Sequence, residues 1–435
     1  MRLLSEIMNK EEKTKNDVEW EKIFERYDIL SHIYNEGAFL ISADQIKEYR
    51  EPRLMVKFDH KINLPEPFRK NNLAILPVSR KKYIISGFEA YHKFEKVDKT
   101  VVQAKIPAEI QSLNINSISS ETIALNCAFD SGILSDFLEE EILYPTVSGR
   151  MGTGEFGFTI QDKRISEAVE INVKNSQMEI DAAYEGIGSL TLIEAKRDVS
   201  EDFLVRQLYY LYRVWSAKVT KKVRPVFFVY SNGIFSLYEY EFKKAGNYNS
   251  LCLVRHKNYS IEDTEIELSD IENVARNTSL VNEPMVSFPQ ANRFERVINI
   301  CELLNSHGLD REQITEEYAF DVRQTNYYTD AAIYLGLVEK AYKNGKPQYR
   351  LSKQGQQIIN SGYRQRQLGF CQVILEHKAF RETFNCYMSS GVMPSVREIV
   401  SIMEKANIYR VDSEKTYKRR ASTIIGWINW ILGLL

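Results

Sequence analysis

The most constraining feature is a pair of apolar segments, MEIDAAYEG and SLTLIEAKR, which two residues separate. A helix-like stretch, roughly residues 200–218, follows, and after it comes another apolar segment, RPVFFVYS. The first two segments read as adjacent strands and predict a β-hairpin. Strand, strand, helix and strand in this order are typical of a mixed sheet packed against helices.

Three polar side chains meet at one end of the predicted hairpin. Side chains alternate along a strand, so Glu194 and Lys196 share a face, and Asp181 on the neighbouring strand can point to the same place. Two carboxylates about 4 Å apart repel each other by on the order of 4 kcal/mol at an effective dielectric near 20. A divalent cation removes that cost, and Mg²⁺ is commonly held by one or two carboxylates plus a substrate phosphate.

Asp181 and Glu194 are therefore the predicted magnesium ligands. The Lys196 ammonium would orient a metal-bound water and stabilise charge in the transition state. The simpler alternative is an ordinary salt bridge between Glu194 and Lys196 at the edge of a sheet. Such exposed pairs contribute little to stability, and this alternative leaves Asp181 unexplained.

This arrangement resembles the PD-(D/E)xK nuclease superfamily, the fold of most type II restriction endonucleases. Asp181 matches the first acid, Glu194 the second and Lys196 the lysine, whereas Ile180 stands where the family often has proline. The resemblance covers roughly residues 130–245 and implies Mg²⁺-dependent hydrolysis of phosphodiester bonds.

Further site residues follow from the same resemblance. Gln207 is the closest match to a polar residue that the helix after the hairpin often presents to the site. A helix before the hairpin often adds an acid, and the candidates Glu139, Glu140 and Glu141 cannot be separated by sequence. Upstream, SGRMGTGEFGF carries Arg150 among four glycines. Glycine lets a backbone approach a ligand closely, so this stretch is either a DNA-contacting loop or a mobile surface loop.

Three domains are predicted in an α+β multidomain chain. Residues 1–125 form an N-terminal mixed domain, residues 126–285 the central mixed-sheet nuclease core, and residues 286–435 a helical region with winged-helix units. Between residues 44 and 96 there are twelve Lys or Arg against seven Asp or Glu. That excess suits a phosphate-facing surface, although a solvated protein surface explains it equally well.

The C-terminal region resembles the winged-helix modules of restriction enzymes and regulators. Helix-like stretches precede an apparent hairpin, VEKAYKNGKPQYRLS, whose turn is Asn344-Gly345. In such modules one helix enters the major groove and the wing meets the phosphate backbone. The DNA-binding candidates are Arg323, Gln324, Asn326 and Tyr327 on that helix, Lys343 and Lys346 in the wing, and Lys418, Arg419 and Arg420 in a second basic stretch. A winged helix used for protein contact is the alternative.

Bulk properties fit a globular protein of a reducing compartment. The chain of 435 residues is 44% hydrophobic and 27% charged, with a formal net charge of −2. The count of five cysteines is odd and none are at CxxC spacing, so a cytoplasmic location is expected. The apolar stretch ASTIIGWINWILGLL is too short to span a bilayer and predicts a buried helix, with Trp427 and Trp430 packed in the core.

The leading hypothesis is a sequence-specific, Mg²⁺-dependent endonuclease acting on double-stranded DNA, as in a restriction-modification system. A cognate DNA methyltransferase would then be its genetic partner, and a homodimer would suit a palindromic target. A structure-directed repair or recombination nuclease and a non-catalytic winged-helix regulator are the alternatives.

Overall fold

The computed structural model describes residues 13–115, 118–317, 320, 322–343, 346–411 and 413–435. These residues divide into two compact units. The first unit spans Met1–Ile110, Ser120–Tyr230 and Ile234–Tyr259, and the second spans Gln111–Ser119, Ser231–Gly233 and Ser260–Leu435. The domain boundary predicted between residues 125 and 126 falls inside a helix of the first unit.

The first unit begins with short helices packed against a three-stranded antiparallel sheet. Its elements are α1 (Lys15–Arg26), α2 (Ile29–Glu36), β1 (Phe39–Ser42), α3 (Ala43–Lys47), α4 (Pro52–Val56), α5 (Glu66–Lys70), β2 (Ala74–Ser79) and β3 (Lys82–Ser86). The strand order is β1-β3-β2. Helix α1 starts where Thr14 and Asp17 form a reciprocal capping box. Its Trp20 meets Phe68 edge-on, with ring centroids 4.7 Å apart, and both rings are fully buried.

A seven-stranded sheet forms the centre of the first unit. The elements from here to the end of the sheet are β4 (Tyr91–Lys93), β5 (Val101–Gln103), α6 (Glu121–Asp130), α7 (Ile133–Leu138), β6 (Tyr144–Pro145), β7 (Gly149–Gly152), β8 (Glu155–Asp162), β9 (Glu167–Lys174), β10 (Gln177–Ile180), β11 (Ala182–Glu185), β12 (Ser189–Lys196), β13 (Asp202–Leu204), α8 (Arg206–Ser216), β14 (Lys222–Ser231), β15 (Ile234–Phe242) and β16 (Leu251–Ser260). The strand order is β5-β16-β15-β14-β12-β11-β6.

The sheet is mixed, as the sequence predicts. Strand β11 pairs antiparallel with β12, and β12 pairs parallel with β14. Helix α8 connects the parallel pair. Seven of the eight residues of β12 are buried, which is expected of a strand covered on both faces. The α+β multidomain prediction is confirmed.

Three predicted elements differ from the structure. The segment expected to be a loop, residues 148–158, instead contains strand β7 and the first half of β8, because β7 pairs with β10 and β8 pairs with β9. The strand expected across residues 179–186 breaks at Asp181, because β10 pairs with β7 whereas β11 pairs with β12. The helix expected at residues 200–218 is shorter, because residues 202–204 pair with β4 as strand β13.

The second unit is mostly helical. Its elements are α9 (Leu268–Asn277), α10 (Phe294–Leu303), α11 (Arg311–Glu317), α12 (Val322–Tyr334), β17 (Val338–Lys343), β18 (Lys346–Leu351), α13 (Lys353–Ile359), α14 (Tyr363–Leu375), α15 (Lys378–Ser390), α16 (Val396–Lys405) and α17 (Glu414–Leu432). Strands β17 and β18 form an antiparallel hairpin, and Leu309 makes an isolated bridge to Tyr349 of β18. The predicted turn, Asn344-Gly345, lies outside the described residues.

Helix α17 is buried in the core of the second unit, as predicted for the last apolar stretch. Trp427 is fully buried, its indole N–H donates to the carbonyl of Ala291 at 2.6 Å, and Trp430 is 9% exposed. A Cβ on Gly426 would lie 2.1 Å from the carbonyl oxygen of Asn292, so the helix approaches that backbone as only glycine permits. Among the helices of the described ranges, none is long and apolar enough to span a membrane.

A buried ionic cluster fastens helix α7 to the large sheet. Glu239 on β15 accepts two hydrogen bonds from the Arg224 guanidinium, at 2.8 and 2.7 Å, and pairs with Arg255 at 3.0 Å. Arg224 also donates to the carbonyl of Leu138 at the end of α7. Glu239 is 1% exposed, so its charge depends on these two guanidinium groups.

We expect Glu239→Gln to destabilise the protein by about 3–5 kcal/mol, because the substitution leaves buried guanidinium charge without its counter-charge. The measurement is the midpoint of thermal unfolding. The matched control is Glu241→Gln, an exposed position on the same strand, which should change stability by less than about 0.5 kcal/mol. Equal midpoints for the two variants would show that the cluster contributes nothing.

Candidate active site

Asp181 lies where the chain leaves one strand pair for another. It follows β10 and precedes β11, whose Ala182 pairs with Ile193, so Asp181 stands opposite Glu194. The backbone N–H of Ala195 donates to Asp181 Oδ2 at 2.8 Å. This bond holds the carboxylate at the end of β12. Its donor is a backbone group, so it requires no other side chain.

Glu194 is the centre of the side-chain contacts. Its Oε1 accepts a hydrogen bond from Lys196 Nζ at 2.5 Å and another from Gln207 Nε2 at 2.5 Å. Glu194 and Lys196 lie two residues apart on β12 and therefore share a face, as predicted. Their side chains are only 9% and 16% exposed, so they are not an ordinary surface salt bridge.

Gln207 comes from the first turn of α8. The helix follows directly after the short strand β13, and this orders the amide beside the end of β12. Gln207 Oε1 is buried and has no hydrogen-bond partner among the described residues. The structure thus brings together all four residues that the sequence assigns to catalysis.

Burial and mutual repulsion make the free site unfavourable for negative charge. Burial, together with the Asp181 carboxylate, raises the pKa of Glu194 to about 8 despite the nearby Lys196 ammonium. Burial also raises the pKa of Asp181. Burial opposes the charge of Lys196 as well, but Glu194, Asp59, Glu121 and Asp181 outweigh it and raise the lysine pKa. Lys196 is therefore an ammonium at neutral pH.

Two acids of the site were not found by sequence analysis. Glu121 opens helix α6, whose N-cap is Ser120, and α6 packs against β12. Burial raises the Glu121 pKa, Lys196 lowers it and Asp181 raises it, so Glu121 lies near both residues. Asp59 comes from the N-terminal region and acts on the pKa of Lys196. The Ser120-Glu121 pair is a recognisable helix start, but no local pattern marks Asp59.

The three glutamates considered for the upstream acid lie elsewhere. Glu140 accepts a hydrogen bond from Ser189, the first residue of β12, and Glu139 pairs with Arg255 at 2.7 Å. Ser189 lies five residues before Glu194 on β12, about 17 Å along the strand at 3.3–3.4 Å per residue. Glu139, Glu140 and Glu141 instead line a cavity of ≈ 560 Å³ at that end.

The donor set fits a magnesium ion whose remaining coordination positions would be filled by water and a substrate phosphate. Within the part of the chain that the structure describes, no group of three or more His, Cys, Asp or Glu side chains lies so that it could hold a metal ion. Asp181, between β10 and β11, and Glu194 on β12 still offer two carboxylates, and the unpartnered oxygen of Gln207 belongs to the amide that donates to Glu194. Mg²⁺ commonly binds one or two carboxylates and keeps its other positions for water and phosphate.

The predicted DNA-contacting residues differ in their exposure and in the contacts that their side chains make within the protein. Arg150 in the first unit is exposed and pairs with Glu179 at 3.3 Å. Arg323 in the second unit is exposed and donates to the Tyr327 hydroxyl at 2.7 Å. Gln324 accepts a hydrogen bond from Arg296, and Asn326 is half-buried.

The second basic stretch lies at the start of α17. Lys418 pairs with Glu414 at 2.6 Å and Arg419 is exposed. Arg420 is half-buried and donates to Gln290 at 3.0 Å, so part of its hydrogen-bonding capacity serves the fold. The side chains of Lys343 and Lys346 lie outside the described part of the chain.

Three family models match the chain, and each is described as a domain of unknown function. They are DUF6996 over residues 17–85, DUF6997 over residues 86–260 and DUF7226 over residues 296–435. No curated protein and no solved structure matches the chain. The match over residues 86–260 contains the whole predicted catalytic set, whereas Asp59 lies in the match over residues 17–85.

The raised pKa of Glu194 predicts a pH-dependent stability in metal-free protein. The folded chain holds this proton up to about pH 8, whereas the ordinary value is 4.5, so the stabilisation is present in acid and is lost between these pH values. Glu194→Gln does not titrate. We therefore expect its melting temperature, relative to the wild type, to rise from about pH 5 to about pH 8.

The matched control for this measurement is Glu179→Gln, an exposed carboxylate on β10. Its melting temperature relative to the wild type should vary little over the same range. A Glu194→Gln difference that stays constant with pH would contradict the pKa assignment.

Proposed function

We propose that this protein is a sequence-specific, Mg²⁺-dependent endonuclease that hydrolyses double-stranded DNA, as type II restriction enzymes do. The observation that carries the proposal is the convergence of Asp181, Glu194 and Lys196 at one end of β12. Residue types and spacing there resemble those of the PD-(D/E)xK superfamily, with Ile180 where the family often has proline and Asp181 between strands β10 and β11. The central sheet, with its parallel pair β12–β14 and the connecting helix α8, supports a nuclease core of that kind.

In the proposed reaction Asp181 and Glu194 hold the magnesium ion. The ion supplies a polarised phosphodiester and an activated water when it is bound. Asp181 is held for this task by the Ala195 N–H, and Glu194 by Gln207. Burial, with a smaller contribution from neighbouring carboxylates, raises the pKa of Glu194 and that of Asp181, and a bound cation would offset this cost of negative charge.

Lys196 acts as a cation in this proposal and not as a general base. Its pKa is raised, so a neutral amine is scarce at physiological pH. An ammonium donates hydrogen bonds only, which suits the charge that grows on the phosphate oxygens during attack. Lys196 can also orient the attacking water through a second N–H.

The second unit supplies the proposed DNA reader. Helix α10, the bridging residue Leu309, helices α11 and α12 and the hairpin β17–β18 follow one another in the order of a winged helix. On this analogy α12 is the helix that enters the major groove. Arg323 stands exposed in its first turn, where a guanidinium can contact guanine.

Asp181→Asn and Lys196→Ala test the catalytic assignment. We expect wild-type protein to cut plasmid DNA into discrete fragments with Mg²⁺ and to be inactive with EDTA. Each variant should cut at least about 10²-fold more slowly, because each removes charge from the reacting centre. Binding of the same DNA in a gel shift should survive.

Glu179→Gln is the matched control, since this carboxylate lies two residues from Asp181 and is exposed. It should cut at the wild-type rate. Variants of Asp181 or Lys196 that cut normally would overturn the site, and a smear instead of discrete bands would favour a repair or recombination nuclease.

Arg323→Ala tests the reader. If the guanidinium makes a bidentate base contact, the variant should lose about 1–3 kcal/mol of preference for the cognate sequence over a competitor. The measurement is competitive binding in two salt concentrations. Arg397→Ala, at an exposed position on α16, is the control and should leave the preference unchanged. An unchanged preference in Arg323→Ala would exclude this helix as the reader.

A further inference from the structure

A short segment of the N-terminal region, residues 57–61, alternates between exposed and buried side chains. Phe58 and His60 are 2% and 5% exposed, whereas Lys57 and Lys61 are exposed. The backbone is extended at Lys57 and at His60, and side chains of an extended segment alternate between its two sides. The segment therefore buries one side in the first unit and presents two ammonium groups to solvent on the other.

Strand β13 holds the backbone of this segment in place. The Leu204 N–H donates to the Asp59 carbonyl at 2.8 Å, and the Lys61 N–H donates to Asp202 Oδ1 at 3.0 Å. His60 Nδ1 lies 2.5 Å from the Asp202 carbonyl oxygen. Three contacts over three successive residues fix the direction in which the lysines leave the backbone.

The segment lies beside the chain that leaves the catalytic end of β12. His60 Nε2 is 3.6 Å from Asp198 Oδ2, and Asp198 follows Lys196 by two residues. Two residues of extended chain span at most about 7 Å. The exposed side of residues 57–61 is therefore next to the proposed reacting centre.

This end of the sheet needs positive charge if a nucleic acid is to approach it. Asp181, Glu194 and Glu121 all lie there, and the Lys196 ammonium is engaged by Glu194 at 2.5 Å. A DNA duplex carries one negative charge per about 1.7 Å of its axis, so these carboxylates repel it. Burial raises the pKa of Glu121, and the Lys196 and Lys57 ammonium groups both oppose that rise. The charge of Lys57 thus acts on an acid of the site.

Both ammonium groups are available to a ligand. Lys57 Nζ lies 3.9 Å from Asp59 Oδ2, and the lysine side chain is 69% exposed. An exposed pair at that distance contributes little, so a phosphate oxygen can replace the carboxylate at small cost. Lys61 is attached through its backbone N–H, and its exposed ammonium takes no part in that attachment.

We propose that Lys57 and Lys61 form a phosphate-contact surface that binds the DNA backbone beside the scissile bond. The choice of DNA rests on the proposed function, but binding at the two lysines can be tested without cleavage. An ammonium binds phosphate as a point charge, so this surface adds affinity and orients the strand without reading its sequence.

The first test measures the salt dependence of DNA binding by full-length protein in EDTA. The probe is a fluorescent duplex of about 30 base pairs of arbitrary sequence, titrated by anisotropy between about 50 and 200 mM KCl. Each lost phosphate contact reduces the slope of log affinity against log salt by about 0.9. Lys57→Ala and Lys61→Ala should each show this reduction, with affinity about three- to tenfold lower, and the double variant should lose about 1.8. Lys57→Arg and Lys61→Arg keep the charge and should keep the slope.

Lys222→Ala is the matched control. Lys222 is also exposed, and it pairs in register with Ser189 at the opposite end of β12 from Glu194. Its slope should stay within about 0.2 of the wild type. Equal losses in Lys222→Ala and in the two variants would show a general effect of charge, and an unchanged slope in the double variant would show no contact; either result overturns the proposal. If an alanine variant does not fold, Lys57→Gln and Lys61→Gln give the same readout.

The second test uses plasmid DNA and Mg²⁺. The double variant should raise KM for DNA at least about tenfold while kcat stays within about twofold, because neither lysine touches the reacting phosphate. If the slopes change as expected but the wild type does not cut, the proposed function fails and the phosphate-contact surface stands. If the wild type cuts and the double variant keeps its slope and KM, the surface fails and the proposed function stands. A wild type that binds no DNA overturns both.

Discussion

The hydrogen bond from the Ala195 N–H to the Asp181 carboxylate is the interaction on which the rest of the site depends. It forms where the chain passes from the β7–β10 pair to the large sheet. The residue at which the strand partner changes is therefore also the acid that the sheet positions. Because the donor is a backbone group of β12, Asp181 stays in register with Glu194 as long as the sheet is intact. Lys196 and Gln207 are then ordered through Glu194.

The buried charges of the site lower the stability of the fold. Each buried ion costs several kcal/mol of hydration, and attraction between ions returns that cost only where the geometry is good. Here one ammonium is shared among several carboxylates, and Glu194 takes up a proton near pH 8. A fold selected only for stability has little reason to bury such a group. Conflicts of this kind between local chemistry and stability are characteristic of functional sites.

The sequence predicted the contacts between residues that are close together in the chain, and it did not predict the contacts between residues that are far apart. Alternation along a strand was enough to place Glu194 and Lys196 on one face, and adjacency in a hairpin was enough to bring Asp181 near them. The break in the strand at Asp181 was not predicted, because it depends on β7, some thirty residues earlier. Asp59 and Glu121 were missed for the same reason. Their positions follow from the packing of α6 and of residues 58–61, and the periodicity of the sequence predicts neither position.

The same limit applies to the candidate DNA contacts. Basic residues in a helix pattern cannot be sorted by sequence into those that serve the fold and those that face solvent. The structure separates Arg420, which donates to Gln290, from Arg419 beside it, which is exposed. Charge counts alone treat the two residues as equal.

Residues 58–61 attach to the chain around residues 198–204, since the Leu204 N–H donates to the Asp59 carbonyl at 2.8 Å and His60 Nδ1 lies 2.5 Å from the Asp202 carbonyl oxygen. This attachment has an evolutionary consequence. The two regions match different family models, and such regions are natural units for exchange by recombination. Here an exchange would separate His60 Nε2 from Asp198 Oδ2, which lie 3.6 Å apart, unless the incoming region carried the same contact. The N-terminal and central regions should therefore be inherited as a pair.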